Sequence, residues 1–322
     1  MIGALGKLLG RGRTGGPALS VAAFGKHPAW DDHMDDPGID TEMLAEVKRR
    51  LYVEGVGRNI DAGAWSSMPA EERVSEFRHV FVWRKGEEIV LGRLWSSEDG
   101  KGRSAYPMAV CIGASKVPLR WLLEHAVGPL ERAETKLRKA TTQDGVHAEL
   151  GELRSAVYER GSATGLAGSS DVLGGLLDRP AMQELLSRSE VAADKTKLYR
   201  LLYAVESELG AFRRSPESSG TWLRAASAKA QMVRVPRWAD SPGEAIALWS
   251  AFFGERMAAS APIVILVSRK RKMIDVILGD AGPEQWWCLL ADEPALSLTT
   301  DVPYELDDAF LSRARGEIAG AG

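Results

Sequence analysis

The sequence predicts a mixed α/β protein. Short apolar runs of strand length recur along the chain, and they alternate with segments whose apolar residues return at helical spacing. Composition agrees. The chain has 322 residues, 45% hydrophobic and 26% charged, which is ordinary for a globular protein and enough for one large domain or two modest ones.

Residues 1–17 are rich in Gly and Arg and read as a flexible tail. Residues 18–24 form the first apolar run, a strand that ends at Gly25, and a polar loop follows to Gly38. Ile39, Met43, Leu44, Val47 and Leu51 then fall at helical spacing. Asp36 or Asp40 can cap this helix, and Gly55 and Gly57 are expected to end it. Residues 79–83 and 88–95 read as two strands around the tight turn Lys85-Gly86, and residues 106–112 as a third. Leu119, Leu122, Leu123, Ala126 and Leu130 mark a helix that Gly128-Pro129 should kink or split.

A helical middle follows, with helix over residues 147–158, a Gly/Ser-rich linker over 161–175, and an amphipathic helix from Leu198 to Phe212. The last third reads as a strand at 231–235, a helix at 242–257 and strands at 263–267 and 273–278, joined by the basic turn 268–272. A further strand is expected at 286–290. The boundaries are then an α/β region at 18–145, a helical segment at 146–215 and a C-terminal α/β region at 216–322. Strand, helix and three strands occur twice in this order, so the two α/β regions either repeat or share one sheet.

Charge and cysteine content exclude several classes. A net charge of −3 gives no basic field for nucleic acid. Cys111 and Cys288 sit in apolar surroundings and read as buried free thiols, which fits a cytoplasmic address. No apolar stretch reaches membrane-spanning length, so no membrane insertion is expected.

No catalytic centre stands out. The chain has no Gly-x-Ser-x-Gly elbow. The loop 96–104 contains Gly100-Lys101-Gly102, but it lacks the P-loop order and leads into a strand, so no nucleotide or other cofactor is expected there. The densest polar cluster is His27, Asp31, Asp32, His33, Asp35 and Asp36. Histidines and carboxylates at this density give a second reading, a metal-dependent hydrolase on His27, Asp31, Asp32 and His33. Acidic residues before a helix are also expected from capping and the helix dipole, and a structural or partner-binding loop is the favoured reading of this cluster. A third reading is a structural subunit of an assembly, with Trp30, Trp65 or one of Trp286-Trp287 at an interface. The turn 268–272 reads as a solvated, positive hairpin tip.

Two segments resemble the TagF family, regulators associated with bacterial type VI secretion. In the first, Phe24-Gly25-Lys26-His27-Pro28-Ala29-Trp30-Asp31-Asp32 is similar to the family's opening, with Lys26 and Pro28 as its core and Asp32 at its aspartate. In the second, Ser97, Asp99, Gly102 and Arg103, followed by Tyr106-Pro107-Met108, match a small-residue loop running into a strand, with one residue more between the arginine and the proline. The resemblance covers about a third of the chain. It implies a three-layer sandwich, a mixed sheet with helices on both faces. It also implies a non-enzymatic regulator or scaffold that binds a forkhead-associated or other secretion-system component. Asp32 is expected to accept backbone N–H bonds or to pair with Arg103, which would join the two segments on one surface.

Overall fold

The computed structural model describes residues 16–166, 168, 171–214 and 228–321. Residues 1–15 of the expected tail lie outside the described residues, as do 167, 169 and 170 of the Gly/Ser-rich segment. Seven strands form one sheet: β1 (Ala18–Gly25), β2 (Arg78–Lys85), β3 (Glu88–Ser96), β4 (Pro107–Ser115), β5 (Gln231–Pro236), β6 (Ile263–Ser268) and β7 (Met273–Leu278). Their order across the sheet is β1-β4-β3-β2-β6-β7-β5. β2 pairs with β6, so the C-terminal region extends the sheet begun by β1 to β4.

The α/β class stands, but the sheet is antiparallel at every pairing where a mixed sheet was expected. The turns Lys85 to Glu88 and Ser268 to Met273 are too short for the crossover that parallel neighbours require. Antiparallel order brings alternate strand ends together. The ends of β1, β3, β6 and β5 and the starts of β4, β2 and β7 therefore line one end of the sheet.

Period-two alternation sends apolar side chains to both faces, and both are covered. Val21, Val80, Val82, Ile89, Leu91, Val110, Ile265 and Val276 belong to one buried cluster. Helices α3 (Leu119–His125), α4 (Val127–Leu137), α5 (Gln143–Thr164), α6 (Ala181–Leu186), α7 (Ser189–Ala193), α8 (Lys195–Ser207), α9 (Pro242–Arg256) and α10 (Asp308–Ala321) contribute to this cluster. α3 and α4 are split at Ala126, because Pro129 has no N–H to continue the first helix.

Phe24, Phe81, Trp83, Val90, Cys111, Val264 and Ile277 face the other way. There they meet α1 (Glu42–Val47), the π-helical stretch Lys48–Gly57, α2 (Arg58–Asp61) and the 3-10 helix Gln285–Leu289. The cap of α1 is Thr41, whose Oγ1 accepts from Leu44 N–H at 3.2 Å, and neither Asp36 nor Asp40 fills that place. Gly55 and Gly57 do not end this helix. A Cβ at Gly55 would lie 2.5 Å from Trp286 Cδ1, so the glycine admits the indole that covers it.

The segment 285–296 lies across this second face, and the strand expected at 286–290 is that 3-10 helix. Trp286 is fully buried against Trp83, with ring centroids 5.4 Å apart. Trp287 is half-buried. Trp65 is also buried, and its Nε1 donates to Trp287 O at 3.0 Å.

The segment's carbonyls are held by guanidinium groups. Arg234, on β5, donates to Asp275 Oδ1 (2.6 Å) and Oδ2 (3.1 Å), and to the carbonyls of Cys288 (3.3 Å), Ala291 (2.9 Å), Asp292 (3.0 Å) and Leu296 (3.1 Å). Arg271 was expected in a solvated turn but is buried, bonded to the Ala291 and Leu289 carbonyls and to His79 Nε2 at 2.9 Å. Burial, and then the charges of Arg271 and Arg234, hold the His79 imidazole well below its ordinary pKa, so it accepts as a neutral ring.

Arg234→Ala leaves Asp275 buried without the cation paired to it and removes one donor from each of four carbonyls, of which Ala291 O keeps Arg271 and Asp292 O keeps the N–H groups of Ala295 and Leu296. It should lower unfolding free energy by about 3–5 kcal/mol in urea denaturation, and Arg234→Met/Asp275→Leu should recover part of that loss.

Candidate functional site

The site begins where β1 ends. Gly25 has φ +113°, and a Cβ there would lie 2.3 Å from Pro107 O. That close approach lets Lys26 N–H donate to Pro107 O at 3.1 Å, and Met34 N–H returns to Gly25 O at 2.9 Å. Residues 27–33 are thereby closed into a loop at the edge of the sheet.

Lys26 runs inward to the β3–β4 loop. Its Nζ donates to Asp99 Oδ2 at 2.6 Å, and both side chains are buried. Asp99 Oδ1 also accepts from the N–H groups of Lys101 and Arg103, both at 3.0 Å, and Oδ2 accepts from Arg103 Nε at 2.7 Å. A carboxylate bonding forward to its own loop is the standard way for Asp to fix a turn. Gly102, at φ +75°, supplies the left-handed position, with its N–H donating to Asp99 O at 2.8 Å. Burial alone would raise the Asp99 pKa. The bonds from Lys26, Arg103 and Lys101 outweigh it and hold the carboxyl well below the usual range.

Arg103 then reaches across to the first loop, donating to Asp31 O at 2.8 Å and approaching Asp32 Oδ1 at 3.3 Å. Lys26 Nζ is 3.7 Å from the same Asp32 oxygen. Gly100 N–H donates to Trp30 O, at 2.6 Å. The loop after β1 and the loop before β4 thus form one connected face. Asp32 pairs with Arg103, while the backbone N–H bonds expected of Asp32 are accepted by Asp99.

The other expected site residues take different places. Pro28 and Ser97 line a hollow of about 330 Å³ beside this face, with His27, Trp95, Glu98 and Arg138. Trp30 is buried against His27 and His147, so its ring holds the loop in place. Pro107 is buried at the start of β4. Tyr106 is half-buried, with Lys26 Nζ 5.6 Å from its ring centre. Ser104 and Ala105, between Arg103 and Tyr106, are both exposed and lie outside the sheet.

Tyr52, which no sequence motif marks, completes an aromatic cluster with Phe24, His33 and Tyr106 at 5.6, 5.7 and 5.8 Å between centroids. Its hydroxyl is buried with no hydrogen-bond partner among the described residues. Burial first, and then Tyr106, Asp36 and Asp32, raise its pKa well above the ordinary phenol value. The available signal was its place next to Leu51 in an amphipathic segment.

The geometry does not assemble the metal-binding set considered for His27, Asp31, Asp32 and His33. His27 is buried, its Nδ1 accepts from Ala29 N–H at 3.1 Å, and its Nε2 lies 2.8 Å from Leu137 O. Those contacts assign the proton to Nε2 and occupy both ring nitrogens. Burial, partly opposed by the Leu137 bond, lowers its pKa. His33 Nδ1 turns to Asp32 Oδ1 at 3.0 Å, on the exposed side. Among the described residues, no group of three or more His, Cys, Asp or Glu side chains is placed to hold a metal ion. None of the described helices is long and apolar enough to cross a membrane.

The chain matches no family model, and no curated protein is similar to it in sequence. What the geometry defines is a braced, charged face at one end of an antiparallel α/β sheet, carried by the loop after β1 and the loop before β4.

The depressed Asp99 pKa has a definite sign. Its stabilisation is full above the unfolded-state value, about 3.9 for Asp, and is lost as pH falls through the folded value. The difference in urea midpoint between the wild type and Asp99→Asn should therefore be constant from pH 7 to pH 5 and shrink below about pH 4.

Proposed function

We propose that this chain is a regulatory or scaffold protein that acts by binding a protein partner through the face built by Lys26, Asp32, Asp99 and Arg103. The observation that carries the reading is the convergence of the two TagF-like segments. They are 65 or more residues apart in sequence, yet Arg103 touches both Asp31 and Asp32. A buried carboxylate with four donors fixes two surface loops against each other, so little loop entropy is lost on docking. The outer groups, Asp31, Asp32 and Arg103, are exposed and carry both signs of charge, which suits recognition by charge complementarity.

By the TagF resemblance, the partner is a forkhead-associated or other component of a type VI or related secretion system, and the setting is the cytoplasm. The hollow beside Pro28 and Ser97 offers a further contact on the same side.

The test is co-purification from the native cell, with Asp32→Ala/Arg103→Ala run beside the wild type. A specific partner should be captured by the wild type and its affinity should fall by roughly tenfold or more in the variant, and equally in Asp31→Ala/Asp32→Ala, which leaves every donor of Asp99 in place. Equal capture by wild type and both variants would overturn the assignment of this face.

A further inference from the structure

A second site lies at the same end of the sheet, toward its other edge. β5 finishes at Pro236, and residues 237–240 lead into α9. Together with the start of α7, Lys197 of α8 and Lys272 of the β6–β7 turn, they line a solvent-open cavity of about 730 Å³. Small-molecule sites have volumes of roughly 300–1,000 Å³.

Four cations line it, Arg188, Lys197, Arg237 and Lys272, against two carboxylates, Glu190 and Asp240; Arg188 is also paired with Glu184 just outside the lining, which still leaves the cations in excess. Arg237 N–H donates to Lys272 O at 2.8 Å, which sets those two residues side by side. Arg188 and Lys197 both lie within electrostatic reach of Glu190. The lining therefore carries an excess of positive charge in a chain whose net charge is −3.

Trp238 borders the same cavity and has φ +40°. A bulky side chain in that region is a backbone outlier, and such outliers gather at binding sites. The surroundings hold it there. Its ring stacks on Trp249 at 5.7 Å and 25°, and Trp249 Nε1 donates to Pro236 O at 3.0 Å. Trp238 itself is half-buried.

We propose that this cavity binds a small phosphate ester carrying a planar ring, of the nucleoside phosphate class. The arginines and lysines take the phosphate oxygens, for which guanidinium and ammonium groups are the natural donors. Trp238 takes the ring, as an aromatic surface that a flat heterocycle can stack on. A phosphate without a ring would leave Trp238 unused, and an uncharged ring would leave the cations without an anion.

The test is calorimetric titration of the full chain with ADP, GDP and UDP, and with ribose 5-phosphate, adenosine and pyrophosphate as partial ligands. At least one nucleotide should bind in the submillimolar range, with the partial ligands roughly tenfold weaker or more. Lys197→Ala/Lys272→Ala should weaken the nucleotide by a similar factor without changing the melting temperature. Trp238→Ala should abolish the preference for nucleotide over ribose 5-phosphate and pyrophosphate. Absence of binding by all three nucleotides at millimolar concentration would overturn the proposal. So would equal binding by wild type and the double lysine variant, pyrophosphate binding as tightly as the best nucleotide, or binding of a polyglutamate peptide alone.

Discussion

A buried carboxylate cannot be left without donors, and Asp99 meets that demand by drawing two distant segments together. Lys26 is brought to it from the end of β1, while Lys101 and Arg103 supply its remaining bonds from the loop that Asp99 itself begins. Because Arg103 is held at Nε by Asp99, its terminal nitrogen is aimed at Asp31 O and the Asp32 carboxylate. The exposed ion pair between Arg103 and Asp32 would contribute little by itself. Its geometry follows from the buried bonds beneath it.

The sheet makes this arrangement possible. Antiparallel order sets the end of β1 beside the start of β4 and the end of β3, so the two loops emerge as neighbours. The same order carries the β6–β7 turn and the end of β5 to that end of the molecule, where the cationic cavity lies. The opposite requirement, cover for the second face, is met by a segment with little regular structure of its own. Residues 285–296 have carbonyls that no strand partner satisfies, and Arg234 and Arg271 satisfy several of them from within the core.

Much of the fold was legible because apolar periodicity is local. β6 and β7 fall within a residue of the runs 263–267 and 273–278, and the Gly128-Pro129 break divides α3 from α4. The misses have tertiary causes. Gly55 carries a helix-ending signal that packing against Trp286 overrides. The run 286–290 has strand-like residues, but the face it covers needs a compact patch, and a 3-10 helix supplies it. Arg271 reads as a surface charge until the carbonyls of Leu289 and Ala291 are in place. At the site, the pairing of Asp32 with Arg103 was readable from the two motifs. The deeper roles of Lys26, Asp99 and Tyr52 were not, because burial of a charged or phenolic group depends on elements far away in sequence.

Hydrogen exchange of wild type and Lys26→Met tests the central claim most directly. If Asp99 binds the two loops into one unit, removing its donor on the β1 side should speed exchange at Gly100, Gly102 and Arg103 in the second loop together with Trp30 and Met34 in the first, while β2 and β6 keep their protection. Faster exchange confined to residues beside position 26, with the 99–103 loop unchanged, would contradict the account.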